Sequence, residues 1–436
     1  MKTATWKATL LNKLKSGSVR HVGLYTAGAV ISKGISFLAL PFFTFYISES
    51  GFGILALITN SVLLLNSFIL FSTNITLNAA YFNDDKERYK NLFTSFLVYV
   101  SGATLISAGI IAIFFEPLQR NFGFQWYYIF LLPLLTFFNF FVEQLNNFLR
   151  LRHESITFFI SNVLKAAIEI GLAVFLLYFF RNDYYARIIS ISVSAFLFTI
   201  YAFYYFFVKM DLRGKFQFSF IRNEFAFGVS IMIMQLANFL MGSSDKFFVK
   251  YFYTNDLTGI YNIASTLAGV LFIFSSAMSS YLMPNMYSAF AQPSMDRVAV
   301  VKRYFFKYMI AIIGAAMLVF IGGTVTYFYL VKKTYLIGYS SFCLLLVGNI
   351  FYSVGVFLYP VLWYYRAKRK LVGVAAVSIA TGGTLFFVLT KYYSIRGTAL
   401  AMLLCYLIVG TYVFQLTIKL LKKSAVPQPL TTEVIP

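Results

Sequence analysis

The chain has 436 residues, 60% of them hydrophobic and 12% charged, and a formal net charge of +21. Soluble domains carry about a quarter charged residues, so this composition excludes an ordinary soluble protein and points to a bilayer as the solvent. The positive excess does not indicate a nucleic-acid partner: Lys and Arg fall in short clusters between apolar runs, with no basic domain and no zinc-ligand spacing.

Residues 1–21 lack the compact apolar core and small-residue cleavage site of a removed leader, and read as a cytoplasmic basic arm. A hydrocarbon core of roughly 30 Å takes about 20 apolar residues per helix. Runs of that kind predict twelve spans, at 22–46, 52–75, 92–114, 123–148, 156–179, 188–208, 225–249, 260–290, 306–331, 335–363, 371–390 and 397–418. The expected fold is all-α and polytopic. Six helices fall in 22–208 and six in 224–420, joined by a polar, basic cytoplasmic linker at 209–223 and followed by a cytoplasmic tail at 421–436. The alternating ten-residue segments of a β-barrel are absent. With the N-terminus inside, inner segments hold 25 Lys and Arg, outer loops hold 8, and Lys33, Lys165 and Lys246 lie within spans. That bias predicts both termini inside and an even number of spans.

The connections are too short for a soluble ATP-binding domain, and no GxxxxGK[ST] motif occurs. Transport by this chain would therefore draw on an ion gradient or on a partner. Cys343 and Cys405 both sit in apolar runs and read as small packed hydrophobes, neither a disulfide nor a metal site.

A weak internal repeat marks the start of each half. Residues 46–60 read YISESGFGILALITN and residues 253–267 read YTNDLTGIYNIASTL, so Glu49-x-x-x-Gly53 matches Asn255-x-x-x-Gly259. Six spans per half would make these parallel repeats. Two unrelated polar turns, each favouring Gly and Asn for local backbone reasons, is the competing reading.

Ionisable side chains inside a bilayer face a cavity, a partner or the bundle interior. The candidates are Lys33, Glu143, Lys165, Glu169, Asp245 and Lys246, with Glu224 near an inner helix start. Lys33 sits mid-span between small residues, with no acid within one turn, and suits a phosphate or acidic sugar; a lysine snorkelling from a misplaced helix end is the plainer alternative. Lys165 and Glu169 are four apart and share a face, as an ion pair or as part of a cavity wall. Asp245 and Lys246 point about 100° apart on a helix and need not satisfy each other. Asn74, Asn78 and Asn262 can hydrogen-bond hydroxyl-rich cargo or tie helices together. The tyrosines near span ends, including Tyr184, Tyr185, Tyr201, Tyr204 and Tyr205, read as interfacial belts.

The stretches GLYTAGAVISKGISFLALPFFTFYISESGFGILAL (23–57), SSDKFFVKYFYTNDLTGIYNIASTLAG (243–269) and YLMPNMYSAFAQ (281–292) resemble bacterial polysaccharide flippases of the O-antigen or capsule type. Those flippases are a branch of the exporter superfamily that also holds multidrug-and-toxin extruders and the lipid II flippase. The resemblance implies two six-helix lobes around a V-shaped cleft, working by alternating access and without catalysis. The implied cargo is an undecaprenyl-diphosphate-linked oligosaccharide, moved from the inner to the outer leaflet of the bacterial plasma membrane. It carries the family's first-helix cation onto Lys33 and its seventh-helix Asp–basic pair onto Asp245–Lys246. H⁺ or Na⁺ coupling through Glu143, Glu169 or Asp245 stays open, as does association with polysaccharide polymerase machinery. No cofactor and no nucleic acid is expected. No arginine falls inside an expected span, and only a short tail follows the last one, both departures from the lipid II flippase. A multidrug or other lipid-linked-substrate exporter is the alternative within transport. A membrane-embedded glycan-modifying enzyme would need an acid/base cluster that His21 and His153, on inner polar segments, do not supply.

Overall fold

The computed structural model describes residues 28, 31–32, 34–83, 85–181, 183–290, 296–365 and 367–423. Its α-helices are Leu40–Tyr46 (α1), Glu49–Ile69 (α2), Thr73–Asn83 (α3), Lys86–Ile113 (α4), Phe115–Phe122 (α5), Tyr128–Leu151 (α6), Ser155–Phe180 (α7) and Asp183–Phe203 (α8). They continue with Phe218–Gly242 (α9), Asp245–Phe252 (α10), Asn255–Phe290 (α11), Arg297–Val325 (α12), Tyr339–Tyr364 (α13) and Lys368–Lys423 (α14). Among the described residues, ten helical segments are long and apolar enough to cross a membrane.

The differences from the twelve expected spans have local causes. The expected span 22–46 begins outside the described residues, and α1 is its end. The apolar run 52–75 is not one helix, because Phe71 takes a left-handed φ of 52° between α2 and α3. The run 225–249 divides after Gly242 into α9 and α10. The runs 371–390 and 397–418 are the two arms of α14, which breaks at Ser394 (φ 54°, ψ −143°).

The described chain clusters into two compact units, Met1–Phe239 with Thr254–Gly259, and Leu240–Tyr253 with Ile260–Pro436. The core of the first is aromatic. Phe93 and Phe96 of α4, Phe140 and Phe141 of α6, and Phe206 beyond α8 are almost fully buried. Their rings meet tilted or edge-on, as in Phe93–Phe206 at 5.1 Å, which suits the ring quadrupoles. Lipid tails are as apolar as these side chains, so close packing rather than escape from solvent holds the helices together. Leu105, Ile113 and Phe179 point outward and meet the hydrocarbon instead.

The two repeat stretches touch each other within the first unit. Ser48 caps α2 by accepting from the Gly51 amide at 3.0 Å, and Asp183 at the start of α8 holds Ser48 through its amide and hydroxyl at 2.8 and 2.7 Å. A Cβ built on Gly53 would lie 2.0 Å from the Asn255 carbonyl oxygen, and one on Gly259 would lie 1.9 Å from that of Glu49. The matched residues thus cross reciprocally, each glycine against the carbonyl of the other stretch's polar residue. Only residues without a Cβ allow two backbones this close.

At the opposite, basic end, the linker after α8 is strapped onto α4. The amides of Gly214, Lys215 and Gln217 donate to Thr94, Asn91 and Ser95 side chains at 3.0, 2.6 and 2.9 Å, and Lys90 pairs with Asp211 at 2.7 Å. Those bonds satisfy backbone donors that no regular element pairs. Glu154, just before α7, accepts from the Tyr205 hydroxyl at 2.8 Å and pairs with Arg152 and Lys209 at 2.9 and 3.4 Å. Tyr205 is therefore no belt residue: only 1% of it is exposed, whereas neighbouring Tyr204 is open.

Two outcomes follow from these contacts. Gly53→Ala or Gly259→Ala forces the crossing apart and should cost about 1–3 kcal/mol, read as a lower Tm of purified protein; an unchanged Tm contradicts the close approach. Burial alone would raise the Glu154 carboxyl, but the Tyr205 hydroxyl with Lys209 and Arg152 outweighs it and holds the group below its ordinary value. A lowered folded-state pKa stabilises above the unfolded value and loses that contribution as pH falls through the folded one. The Tm gap between wild type and Glu154→Gln should accordingly close on acidification through the carboxylate range. A gap constant from about pH 7 to pH 3 would refute the latch.

Candidate functional site

Among the described residues, the ionisable candidates inside the membrane-spanning segments fall in three polar groups, two in the first unit and one in the second. The first surrounds the break between α2 and α3. Gln144 of α6 donates to the Asn74 side-chain oxygen, and the Asn74 amide donates to Glu143. Thr76 donates to Glu224 of α9 at 3.2 Å, and Asn146 and Asn162 bond each other at 2.7 Å. The buried side-chain oxygens of Asn66, Ser72 and Thr73 have no hydrogen-bond partner among the described residues. A break in a membrane helix frees backbone groups, and nearby polar side chains with space for water are the usual remedy.

The second place lies between α7 and α8. Lys165 and Glu169 pair along α7 at 3.4 Å, as their spacing predicted, and Arg187 of α8 shares Glu169 at 3.1 Å. The Arg187 guanidinium also stacks over the Phe43 ring of α1, 4.8 Å from its centroid. Arg187 corrects two expectations, since it was counted in an outer loop and no arginine was expected within a span. It sits in the second turn of α8, inside the apolar segment Asp183–Lys209. The signal for it was Asn182-Asp183 directly after an apolar run, a helix-start pair that moves the span's beginning ahead of Arg187.

The third place is in the second unit. Asp245 opens α10, where the partial positive charge of a helix N-terminus favours a carboxylate. Lys246 reaches back to both Asp245 oxygens, at 3.0 and 3.3 Å, and the Tyr261 hydroxyl donates to Asp245 at 2.9 Å. Lys246 also contacts the Ser265 hydroxyl at 3.2 Å. Asp245 is 0% and Lys246 6% exposed. The pair therefore satisfies itself and neither member reaches the interface: the two are successive residues of α10, and the long Lys246 stem folds back across the helical offset to its neighbour.

The remaining site residues are dispersed. Asn78 on α3 and Asn262 on α11 are half-buried. Lys33 lies outside the described residues.

Broken apolar helices, with charges matched inside them, are those of a polytopic membrane protein. The model of the polysaccharide biosynthesis protein family matches residues 18–290, and the chain belongs to that family. It is 23% identical over 280 residues to an uncharacterized membrane protein of Haemophilus influenzae, covering 63% of this chain and 67% of that one. Its fold resembles that of the lipid II flippase MurJ in an inward closed conformation, with TM-score 0.68 and 14% identity over 92% of this chain and 90% of the other. An inward-facing multidrug resistance MATE family transporter of the MOP superfamily is similar at TM-score 0.61 and 12% identity, over 92% of this chain and 96% of its own. The family match gives membership, and the likeness to these two solved structures is one of fold.

Removing one partner of a buried ion pair strands the other charge. Asp245→Asn should cost about 3–5 kcal/mol, and adding Lys246→Met to it should recover most of that loss. Thermal or denaturant unfolding in detergent reads both, and a double variant no more stable than the single one disproves the pairing.

Proposed function

We propose that the protein is an alternating-access flippase that moves an undecaprenyl-diphosphate-linked oligosaccharide from the inner to the outer leaflet of the bacterial plasma membrane for surface polysaccharide synthesis. The observation that carries this reading is the family match over 18–290, joined to a fold shared with a lipid-linked-precursor flippase. The full arrangement belongs to the proposal: twelve spans, six in 22–208 and six in 224–420, enclosing a cleft. The hydrophilic headgroup crosses within that cleft while the polyprenyl tail stays in lipid.

In this reading Lys33 and Lys165 meet diphosphate or uronic-acid charge, and Asn74, Asn78 and Asn262 meet sugar hydroxyls. The charge surplus of the Lys165–Glu169–Arg187 group, two cations to one carboxylate, favours anionic cargo over the cationic compounds that many multidrug exporters carry. Glu143, Glu169 and Asp245 are the groups through which an H⁺ or Na⁺ gradient would act. Glu143 is the best placed, since its partner Asn74, itself held by Gln144, is neutral and its charge can change without stranding a cation bonded to it. A polysaccharide polymerase in the same membrane would take the product.

Reconstitution into proteoliposomes with a fluorescent lipid-linked oligosaccharide tests the reading. Wild type should expose the headgroup on the far leaflet, and Lys33→Ala should slow this at least about tenfold for acidic headgroups, the equivalent of 1.4 kcal/mol in the barrier. A wild type that moves no such lipid overturns the function. A Lys33→Ala variant with unchanged rates overturns the role of Lys33 alone.

A further inference from the structure

A groove of about 450 Å³ runs between α7 and α8 in the first unit, within the size range of small-ligand sites. Ile156, Ile160, Leu164 and Ile168 of α7 line it with Leu197 and Phe198 of α8, and among the described residues Lys165 is its one charged lining residue. Behind Lys165 stand Glu169 and Arg187, so one positive charge is left over in the group. The buried Arg187 Nη1 has no hydrogen-bond partner among the described residues. Such a surplus inside a low-dielectric segment calls for an anion.

Depth decides which anion. Lys165 lies ten residues past Ser155, where α7 begins at its basic end. At 1.5 Å per residue that is about 15 Å, half of a core roughly 30 Å thick. A lysine stem does not extend that far, so Lys165 cannot snorkel to either interface. The phosphate of a resident phospholipid stays at the interface for the same reason. A lipid phosphate whose headgroup is crossing the membrane passes this level.

We propose that the α7–α8 groove is a transit site for a long-chain lipid phosphate, its apolar chain along Ile156, Ile160, Leu164 and Leu197 and its phosphate oxygens on Lys165, with Arg187 behind. This rests on the flippase reading and adds where, midway across, the charged part of the lipid is held.

The test measures binding of a fluorescent polyprenyl phosphate to the full-length protein in neutral-lipid nanodiscs. Lys165→Gln and Arg187→Gln should each weaken binding at least about tenfold, Lys165→Arg should restore it, and Leu164→Trp, which fills the groove, should weaken it without altering any charge. The matching polyprenol, inorganic phosphate and phosphatidylglycerol should compete poorly, because each lacks the phosphate, the chain or the ability to bring its phosphate to mid-depth. Binding changed less than about threefold by both Lys165→Gln and Leu164→Trp overturns the site, as does phosphatidylglycerol competing on equal terms. Leu164→Trp leaves the ion pairs intact and keeps the test open if a charge variant does not fold. Wild type that flips lipid-linked oligosaccharide while groove variants bind normally sinks the groove and leaves the function. Wild type that binds at the groove but flips nothing sinks the function and leaves the groove.

Discussion

Hydrocarbon offers no hydrogen-bond partners, so each backbone or charged group inside the membrane has to find its partner in the protein or in trapped water. That constraint explains why the polar side chains sit where the helices break. At the α2–α3 break, Gln235 lies 3.5 Å from the freed Phe71 carbonyl, and the Thr73 amide bonds Leu70 at 2.9 Å. Where α9 gives way to α10, the Ser244 hydroxyl covers the Leu240 carbonyl at 2.6 Å and Asp245 sits at the new N-terminus. At the α14 break, Thr398 bonds the Ser394 carbonyl and the Thr390 hydroxyl, both at 3.0 Å. At these three points the break and its polar residues are one feature.

Helix association in this solvent depends on closeness, since apolar side chains gain little by leaving lipid for protein. The first unit reaches it in two ways. Tilted Phe and Tyr rings fill the space among α4, α6 and α8, while at the Gly53–Gly259 crossing the backbones meet with nothing between. Each glycine abuts the carbonyl of the other stretch, so the two halves of the weak sequence repeat meet at one close backbone contact. A Cα hydrogen facing a carbonyl at that range also supplies a weak hydrogen bond on each side.

Much of this was legible in the sequence, and for stated reasons. The all-α, membrane-spanning class follows from apolar run length, and the Lys165–Glu169 pair from helical spacing. The breaks at Phe71 and Ser394 were not, because hydropathy sums over a window and does not register one residue with positive φ. The closure of Asp245 on Lys246 was not legible either, because the 100° offset between helical neighbours does not register that the long Lys246 stem folds back across it. Arg187 was lost to a boundary set a few residues late. Tyr205 looked like its neighbour Tyr204, and only the position of Glu154, some fifty residues earlier in the chain, separates the buried residue from the exposed one.

Charge balance separates structural from functional pairs more sharply than burial does. Asp245 and Lys246 are more deeply buried than Lys165 and Glu169, yet one carboxylate meets one ammonium there, Tyr261 adds a donor, and nothing is left over. Such a closed group needs no visitor and suits a role in fixing the turn from α9 into α10. Around Glu169 the count is two cations to one anion, and the surplus borders an apolar groove instead of another helix. A tie from α7 to α8 needs only Glu169 and Arg187, which balance each other, and Lys165 on α7 brings the second cation. The added ammonium is costly as architecture and suits holding an anion, in keeping with the transit site proposed for the α7–α8 groove.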